Sequence, residues 1–163
     1  MYYALQQINS FIARVIGILL FFAFSIMIIS CFTQIVTRLL EISAVWTEET
    51  ARYMAVWMTF LGVAYAFRHK TMIAVEILSD RIDGNSRKIL SIFILILSLI
   101  FCIVLTIFGF ILVLKISGQI SPVLHVPMAL VYSGLPTAGL LMVLFSIEDI
   151  IKWIKILKEK VVN

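Results

Sequence analysis

Long apolar stretches without a charged residue constrain this chain more than any other feature of its sequence. They occupy residues 15–37, 53–67, 89–114 and 126–147. Three of them exceed about 18 residues, the length at which an apolar run predicts a membrane span. Because an isolated apolar strand would leave its backbone polar groups unpaired in lipid, each run predicts a helix. We therefore expect an all-α membrane protein with four transmembrane helices.

The composition favours a single membrane domain over residues 1–163. Hydrophobic residues make up 63% of the chain and charged residues 13%, whereas a soluble domain holds about half and a quarter. The first run is too long for a signal peptide and no small-residue cleavage site follows it, so we expect no cleavage there. The predicted segments are spans at about 12–37, 47–68, 88–115 and 126–150, an interfacial amphipathic helix at about 72–84, and a C-terminal amphipathic extension at 150–163.

The positions of Lys and Arg predict the orientation. If the N-terminus is cytoplasmic, ten of the 13 Lys and Arg residues fall on the cytoplasmic side, and the outer side holds only Arg38, Arg52 and Lys115. Positive residues concentrate on the cytoplasmic side of membrane proteins. Both termini are therefore expected to be cytoplasmic.

The predicted spans differ in length. The uncharged residues of 53–67 rise only about 22 Å, which is less than a hydrocarbon core of roughly 30 Å. Those of 89–114 rise about 39 Å and must tilt or project. Such mismatches favour a chain that packs against a larger partner.

The segment 73–83 reads as an amphipathic helix. Its apolar residues share one helical face, and Glu76 lies on the opposite, acidic face with three other polar residues. Anionic lipid headgroups attract cations, so this face suits a protein partner or the neighbouring Arg68 better than lipid. An ordinary interfacial helix remains the alternative.

The clearest candidate for a functional cluster lies at the outer start of the second span, where Trp46-Thr47-Glu48-Glu49 is followed by Arg52. One interpretation is structural: Thr47 caps the helix, the acids meet its dipole, and Glu48 pairs with Arg52. The other is that the two carboxylates, drawn toward the membrane by the short span, pair with cations of another protein, because charges at that depth seldom persist alone.

Small residues form a stripe along the same span. Spacings of three and four place them on one helical face, where another helix can approach closely; they are Ala51, Ala55, Thr59, Gly62 and Ala66. Trp57 lies away from this face. The stripe predicts a contact helix, with the chain's own bundle and a separate protein as alternative neighbours.

Nothing in the sequence predicts catalysis, a cofactor or a metal. No Ser-His-Asp set or phosphate loop is present. His69 and His125 fall on opposite sides of the predicted membrane, so they cannot ligate one haem. Cys31 and Cys102 lie within apolar runs and are expected to be buried packing residues. Pro136 can kink the fourth span.

The motifs taken together resemble those of one family, the small membrane subunit of TRAP (tripartite ATP-independent periplasmic) transporters. The resemblance covers nearly the whole chain and rests on the order and spacing of several short motifs. These are the Trp46 to Arg52 cluster, Trp57, Leu61-Gly62, Arg68, the Ile73 to Glu76 run, Ser121-Pro122-Val123-Leu124, Val126-Pro127, Tyr132 and Leu135-Pro136.

The resemblance implies a role as well as a fold. Members of this family pair with a large membrane subunit in the bacterial inner membrane. The resulting transporter receives an organic acid, such as a dicarboxylate or a sialic acid, from a periplasmic substrate-binding protein. A sodium gradient drives the uptake. The small subunit would be a static scaffold, in contact with its partner and the lipid bilayer and not with nucleic acid. The alternatives are a self-sufficient small four-span transporter or exporter, and a membrane anchor of a redox complex.

The residues expected to contact the large subunit lie mainly on the second span. They are Trp46, Glu48, Glu49, Arg52, Ala55, Trp57, Thr59, Gly62, Ala66, Arg68 and Glu76.

Overall fold

The computed structural model describes the backbone of residues 2–79 and 85–162 and the side chains of residues 5–69 and 92–154. All regular structure in this part of the chain is helical, which confirms the predicted all-α class. The helices are α1 (Tyr2–Leu39), α2 (Val45–Ser79), α3 (Asn85–Lys115), α4 (Met128–Tyr132) and α5 (Gly134–Val162).

Three helical segments of the described residues are long and apolar enough to cross a membrane. They are Leu5–Leu39 in α1, Ile92–Lys115 in α3, and Met128–Ile154, which joins α4 and α5. Helix α2 is not among them, because its apolar stretch is short and is flanked by Arg52 and Arg68. The multi-pass membrane class is therefore clear, and the fourth span stays a prediction.

The predicted helix at 72–84 lies at the edge of what the structure describes. Helix α2 continues without a break to Ser79, so the backbone of 72–79 belongs to α2. Residues 80–84 and the side chain of Glu76 lie outside the described residues. The interfacial position of this segment stays a prediction.

The fourth apolar run is divided between α4 and α5 at Ser133. Pro136 has no N–H with which to bond the carbonyl of Tyr132, and a missing bond of this kind breaks or kinks a helix. Ser133 itself keeps helical dihedral angles, with φ −62° and ψ −17°. The two helices therefore follow one another as a single apolar segment.

The interior packs α2, α3 and α5 together. One cluster of buried residues contains Ala64 from α2, Cys102 from α3, and Ala138 and Met142 from α5. Helix α1 joins through Ile16, which packs with Leu61 and Phe145. Small residues at these positions let the helix axes approach closely.

Two glycines show how closely α3 and α5 approach. A Cβ atom at Gly139 would lie 2.5 Å from the Thr106 hydroxyl oxygen, and one at Gly109 would lie 2.9 Å from the Pro136 nitrogen. Real Cβ atoms do not tolerate such distances, so this interface requires glycine at both positions.

The outer faces of α1 and α3 are apolar. Phe21, Phe32, Phe93 and Phe108 each expose more than half of their surface. A soluble monomer rarely exposes so large a contiguous apolar area, and in lipid these side chains are in their preferred solvent.

Cys102 is buried as predicted, whereas Cys31 is exposed. The prediction for Cys31 is wrong because its position on α1 faces away from the other helices.

Candidate functional site

Charged side chains are concentrated at the two ends of the apolar stretch of α2. At its start, Glu49 is buried and its carboxylate has partners within the chain. The Tyr53 hydroxyl donates to Oε1 at 2.6 Å, and the backbone N–H of Leu124 donates to Oε2 at 2.7 Å. Glu49 thus joins the first turn of α2 to the loop between α3 and α4. A buried carboxylate is tolerated when it is bonded in this way.

The neighbouring Glu48 has a different environment. Its carboxylate forms the predicted i,i+4 ion pair with Arg52 at 2.8 Å, and both side chains are more than half exposed. Exposed pairs of this kind contribute about 0.3–0.5 kcal/mol, so this pair adds little to stability. Glu48 and Arg52 are available to another molecule, as is the half-exposed Trp46.

Thr47 does not cap α2 as expected. Its side chain is fully buried, and its hydroxyl donates to the carbonyl of Ala44 at 2.7 Å. A capping side chain would instead accept from a backbone N–H. The prediction of a cap at Thr47 is wrong because α2 begins earlier, at Val45.

At the other end of this stretch, within α2, Arg68 reaches Glu148 on α5. Two guanidinium nitrogens lie 2.9 Å and 3.0 Å from the two carboxylate oxygens. The Asn9 side-chain amide of α1 also donates to Glu148, at 2.5 Å. The pair is buried, with side-chain exposures of 16% for Arg68 and 4% for Glu148. One carboxylate therefore ties three helices together.

Asn9 and Glu148 were missed in the sequence analysis. The sequence analysis gave neither residue a role. The available signal was the pair Glu148-Asp149 directly after an uncharged stretch, at the end of the fold that also carries Arg68. Opposite charges at equal depth in neighbouring spans are expected to pair, because neither persists alone in lipid.

The small-residue stripe lies on the open side of α2. Thr59 is exposed, as is its neighbour Val63, and Ala51, Ala55 and Ala66 are partly buried. A Cβ atom at Gly62 would meet only Leu20, at 4.0 Å. Leu20 of α1 thus borders this face at Gly62, and the face is open at Thr59 and Val63.

Trp57 lies on the inner side of α2. Its ring atoms are 3.6 Å from a Cβ built at Gly134, and it packs against the cluster of Ile16, Leu61 and Phe145. Its contacts within the chain account for its position, so its expected contact with a partner stays a prediction.

The two histidines have separate, exposed surroundings. The ring of His69 lies 4.7 Å from that of Tyr65, close to the Arg68 end of α2. His125 lies in the loop before α4 and adopts a left-handed φ of 54°. Within the described residues, no group of three or more His, Cys, Asp or Glu side chains is placed to hold a metal ion.

Fold and site define a small multi-pass membrane protein whose buried charges hold its helices together. The chain belongs to the DctQ component of the tripartite ATP-independent periplasmic transporters, whose family model matches residues 26–156. This family is a transporter subunit and not an enzyme. The predicted family and the expected lack of enzymatic activity are therefore confirmed.

Three relatives are similar to this chain. The C4-dicarboxylate TRAP transporter small permease protein DctQ of Rhodobacter capsulatus is 31% identical over 108 residues, 65% of this chain and 48% of that protein. The isethionate TRAP transporter permease protein DctMQ of Oleidesulfovibrio alaskensis is 28% identical over 116 residues, 70% of this chain and 18% of that protein. A putative TRAP transporter small permease protein of Haemophilus influenzae is 27% identical over 152 residues, 92% of this chain and 94% of that protein.

The chain thus spans about half or less of the length of the first two relatives and nearly all of the third.

Replacing Glu148 by Ala should destabilise the protein strongly. Arg68 would be left buried without its partner, and breaking a buried pair in this way costs about 3–5 kcal/mol. Glu48→Ala is the matched control, because it removes the acid of an exposed pair and should cost under about 1 kcal/mol. Unfolding of the purified chain in detergent, followed by tryptophan fluorescence, measures both. Equal losses of unfolding free energy in Glu148→Ala and Glu48→Ala would contradict the structural role of Glu148.

Replacing Glu49 by Ala should loosen the loop between α3 and α4. The N–H of Leu124 would lose its carboxylate acceptor and keep only its 3.2 Å bond to the Ser121 hydroxyl oxygen. Amide hydrogen exchange at Leu124 should therefore accelerate, by up to about tenfold, the effect of one charge-assisted hydrogen bond. Glu48→Ala again serves as the control and should leave the loop unchanged. Unaltered exchange in Glu49→Ala would contradict the tie between the two segments.

Proposed function

We propose that this chain is the small scaffold subunit of a sodium-coupled, binding-protein-dependent secondary transporter that imports an organic acid of the dicarboxylate or sialic acid class. One observation carries the proposal: buried charges occur near the borders of the apolar stretches, where they join helices, and no charged residue lies between Arg52 and Arg68 or within 15–37, 92–114 and 126–147. Secondary transporters place polar or ionisable groups near the bilayer midplane. A chain without them suits a structural subunit.

The contacts of α2 support a fourth span. The start of α2 is bonded through Glu49 to the loop that precedes α4, and the far end of its apolar stretch is bonded through Arg68 to Glu148 of α5. From Glu49 to Arg68 a helix rises about 28 Å, close to the hydrocarbon thickness of about 30 Å. If α4 and α5 cross the bilayer, α2 crosses beside them. Together with the Lys and Arg bias, this arrangement supports a cytoplasmic location for both termini in a bacterial cell.

The open side of α2 supports association with a second membrane protein. Glu48, Arg52, Thr59 and Val63 are exposed there, and the small residues beside them would let a helix approach closely. The DctMQ relative matches this chain over only 18% of its own length, so in that protein a segment like this chain occurs within a much longer permease. We therefore take the partner to be a large membrane subunit that carries the substrate and sodium sites.

The substrate class has support from the relatives. The name of one specifies a C4-dicarboxylate, which supports the dicarboxylate class, and the name of another specifies isethionate, an organic sulfonate outside both classes. A periplasmic binding protein would deliver the substrate. The small subunit would extend the static part of the large subunit, against which the mobile part moves.

Replacing Val63 by Trp should weaken association with the large subunit. The bulky ring would occupy the face on which a partner helix must approach, so co-purification with a tagged large subunit encoded beside this chain should fall severalfold, and uptake with it. Val104→Trp is the matched control, because Val104 is similarly exposed but lies on α3.

Two results would contradict the proposal. Undiminished co-purification in Val63→Trp would show that the open side of α2 is not the contact. Uptake of an organic acid by the purified chain alone in proteoliposomes would favour the alternative of a self-sufficient transporter.

A further inference from the structure

A cavity of about 530 Å³ opens between α1, α2 and α5, at the end of the fold where Arg68 meets Glu148. The ion pair at its side is already complete, because both oxygens of Glu148 are bonded to Arg68. Arg14 of α1 and Lys152 of α5 also line the cavity. Neither has an ion pair among the described residues. The cavity therefore offers two cations to an anionic group.

The cavity also contains a buried acid, near Arg68 and Lys152, with one oxygen that has no hydrogen bond to the described residues. Asp149 lines it and is only 3% exposed, yet its Oδ2 accepts no hydrogen bond within the described part of the chain. Buried polar atoms are almost always bonded, so this oxygen calls for a donor. A ligand that brings an N–H donor beside an anion would match Asp149 and the two cations together.

The depth of the cavity points to a lipid headgroup. From Leu39, at the end of α1, back to Arg14 a helix rises about 37 Å, which exceeds the roughly 30 Å hydrocarbon core. Arg14 therefore lies in the headgroup region if α1 crosses the bilayer. Basic pockets between helices at this depth suit phosphate headgroups.

The cavity continues onto an apolar surface. A second cavity of about 390 Å³ shares Ser10 and Arg14 with the first and reaches Phe11. Phe11 and Ile18 are both more than half exposed, and Val15 lies between them on α1. An acyl chain attached to a bound headgroup can lie along this surface, whereas a soluble phosphate would leave it uncovered.

We propose that this cavity binds the phosphoethanolamine headgroup of a membrane phospholipid. The phosphate lies against Arg14 and Lys152, and the primary ammonium donates to Asp149. The ligand must therefore carry a phosphate anion next to an ammonium with N–H donors. The apolar surface along α1 favours a phospholipid over soluble phosphoethanolamine, because only the lipid has an acyl chain to cover it. The inference does not depend on the proposed transport function.

Native mass spectrometry of the full chain in detergent tests the proposal with three lipids of identical acyl chains. Phosphatidylethanolamine should be retained in preference to phosphatidylcholine, whose trimethylammonium has no N–H to donate, and to phosphatidylglycerol, which has no cation. Asp149→Asn should reduce the preference for ethanolamine over choline about tenfold, the effect of one charge-assisted hydrogen bond.

Removing the cations tests the phosphate half of the site. Arg14→Gln with Lys152→Gln should lower retention of both the ethanolamine and the choline lipid by tenfold or more, since about tenfold is expected for each charged bond. Arg38→Gln with Lys115→Gln removes two cations from the last turns of α1 and α3 and should change nothing. Arg14 is exposed and Lys152 is only partly buried, so we expect the double variant to fold, and its unfolding in detergent checks this.

Soluble O-phosphoethanolamine, which has the same headgroup without acyl chains, tests whether the cavity binds the lipid or the free compound. We expect the lipid to raise the unfolding temperature of the delipidated chain and the soluble compound to have little effect at equal concentration. Stabilisation by the soluble compound alone would overturn the lipid assignment. Equal retention of the three lipids, or equal retention by the Arg14/Lys152 and Arg38/Lys115 variants, would overturn the site itself.

Discussion

The buried ion pair between Arg68 and Glu148 is the interaction on which the arrangement of the helices depends. Helix α2 is more polar than its neighbours, and an arginine at the edge of its apolar stretch is costly in lipid unless it is paired. Glu148 supplies both oxygens to Arg68 at 2.9–3.0 Å and also accepts from Asn9. One acidic residue thus fixes the positions of α1, α2 and α5 at the same end of the molecule.

The rest of the structure follows from that fixed position. At the start of α2, Glu49 bonds the loop before α4, so α2 is held to the α3–α5 part of the fold on both sides of its apolar stretch. Its inner side packs through Ala64 and Leu61, and its outer side keeps small, uncovered residues. A helix held in this way can present a rigid surface to a larger membrane protein, which is what the proposed scaffold requires.

The sequence was sufficient for the class of the fold and for the family, and less so for the charged residues. Uncharged runs predict helices directly because lipid leaves the backbone no other partner, and the Glu48–Arg52 pair follows from i,i+4 spacing. The difference between Glu48 and Glu49 could not be predicted, since it depends on a loop 75 residues further along the chain. Glu148 was missed for the same reason: its partners are 80 and 139 residues away. The break at Ser133 follows from Pro136, whereas the exposure of Cys31 depends on which side of α1 faces the bundle.

Cysteine labelling of the two loops that precede α2 and α4 tests the position of α2 most directly. In a Cys31→Ser background, Leu40→Cys and Ser117→Cys provide single exposed thiols in these loops, and Cys102 is buried. If α2 crosses the membrane beside α5, a membrane-impermeant thiol reagent added to intact cells should label both positions. Labelling of Leu40→Cys alone, with Ser117→Cys reached only after the membrane is opened, would mean that α2 does not cross.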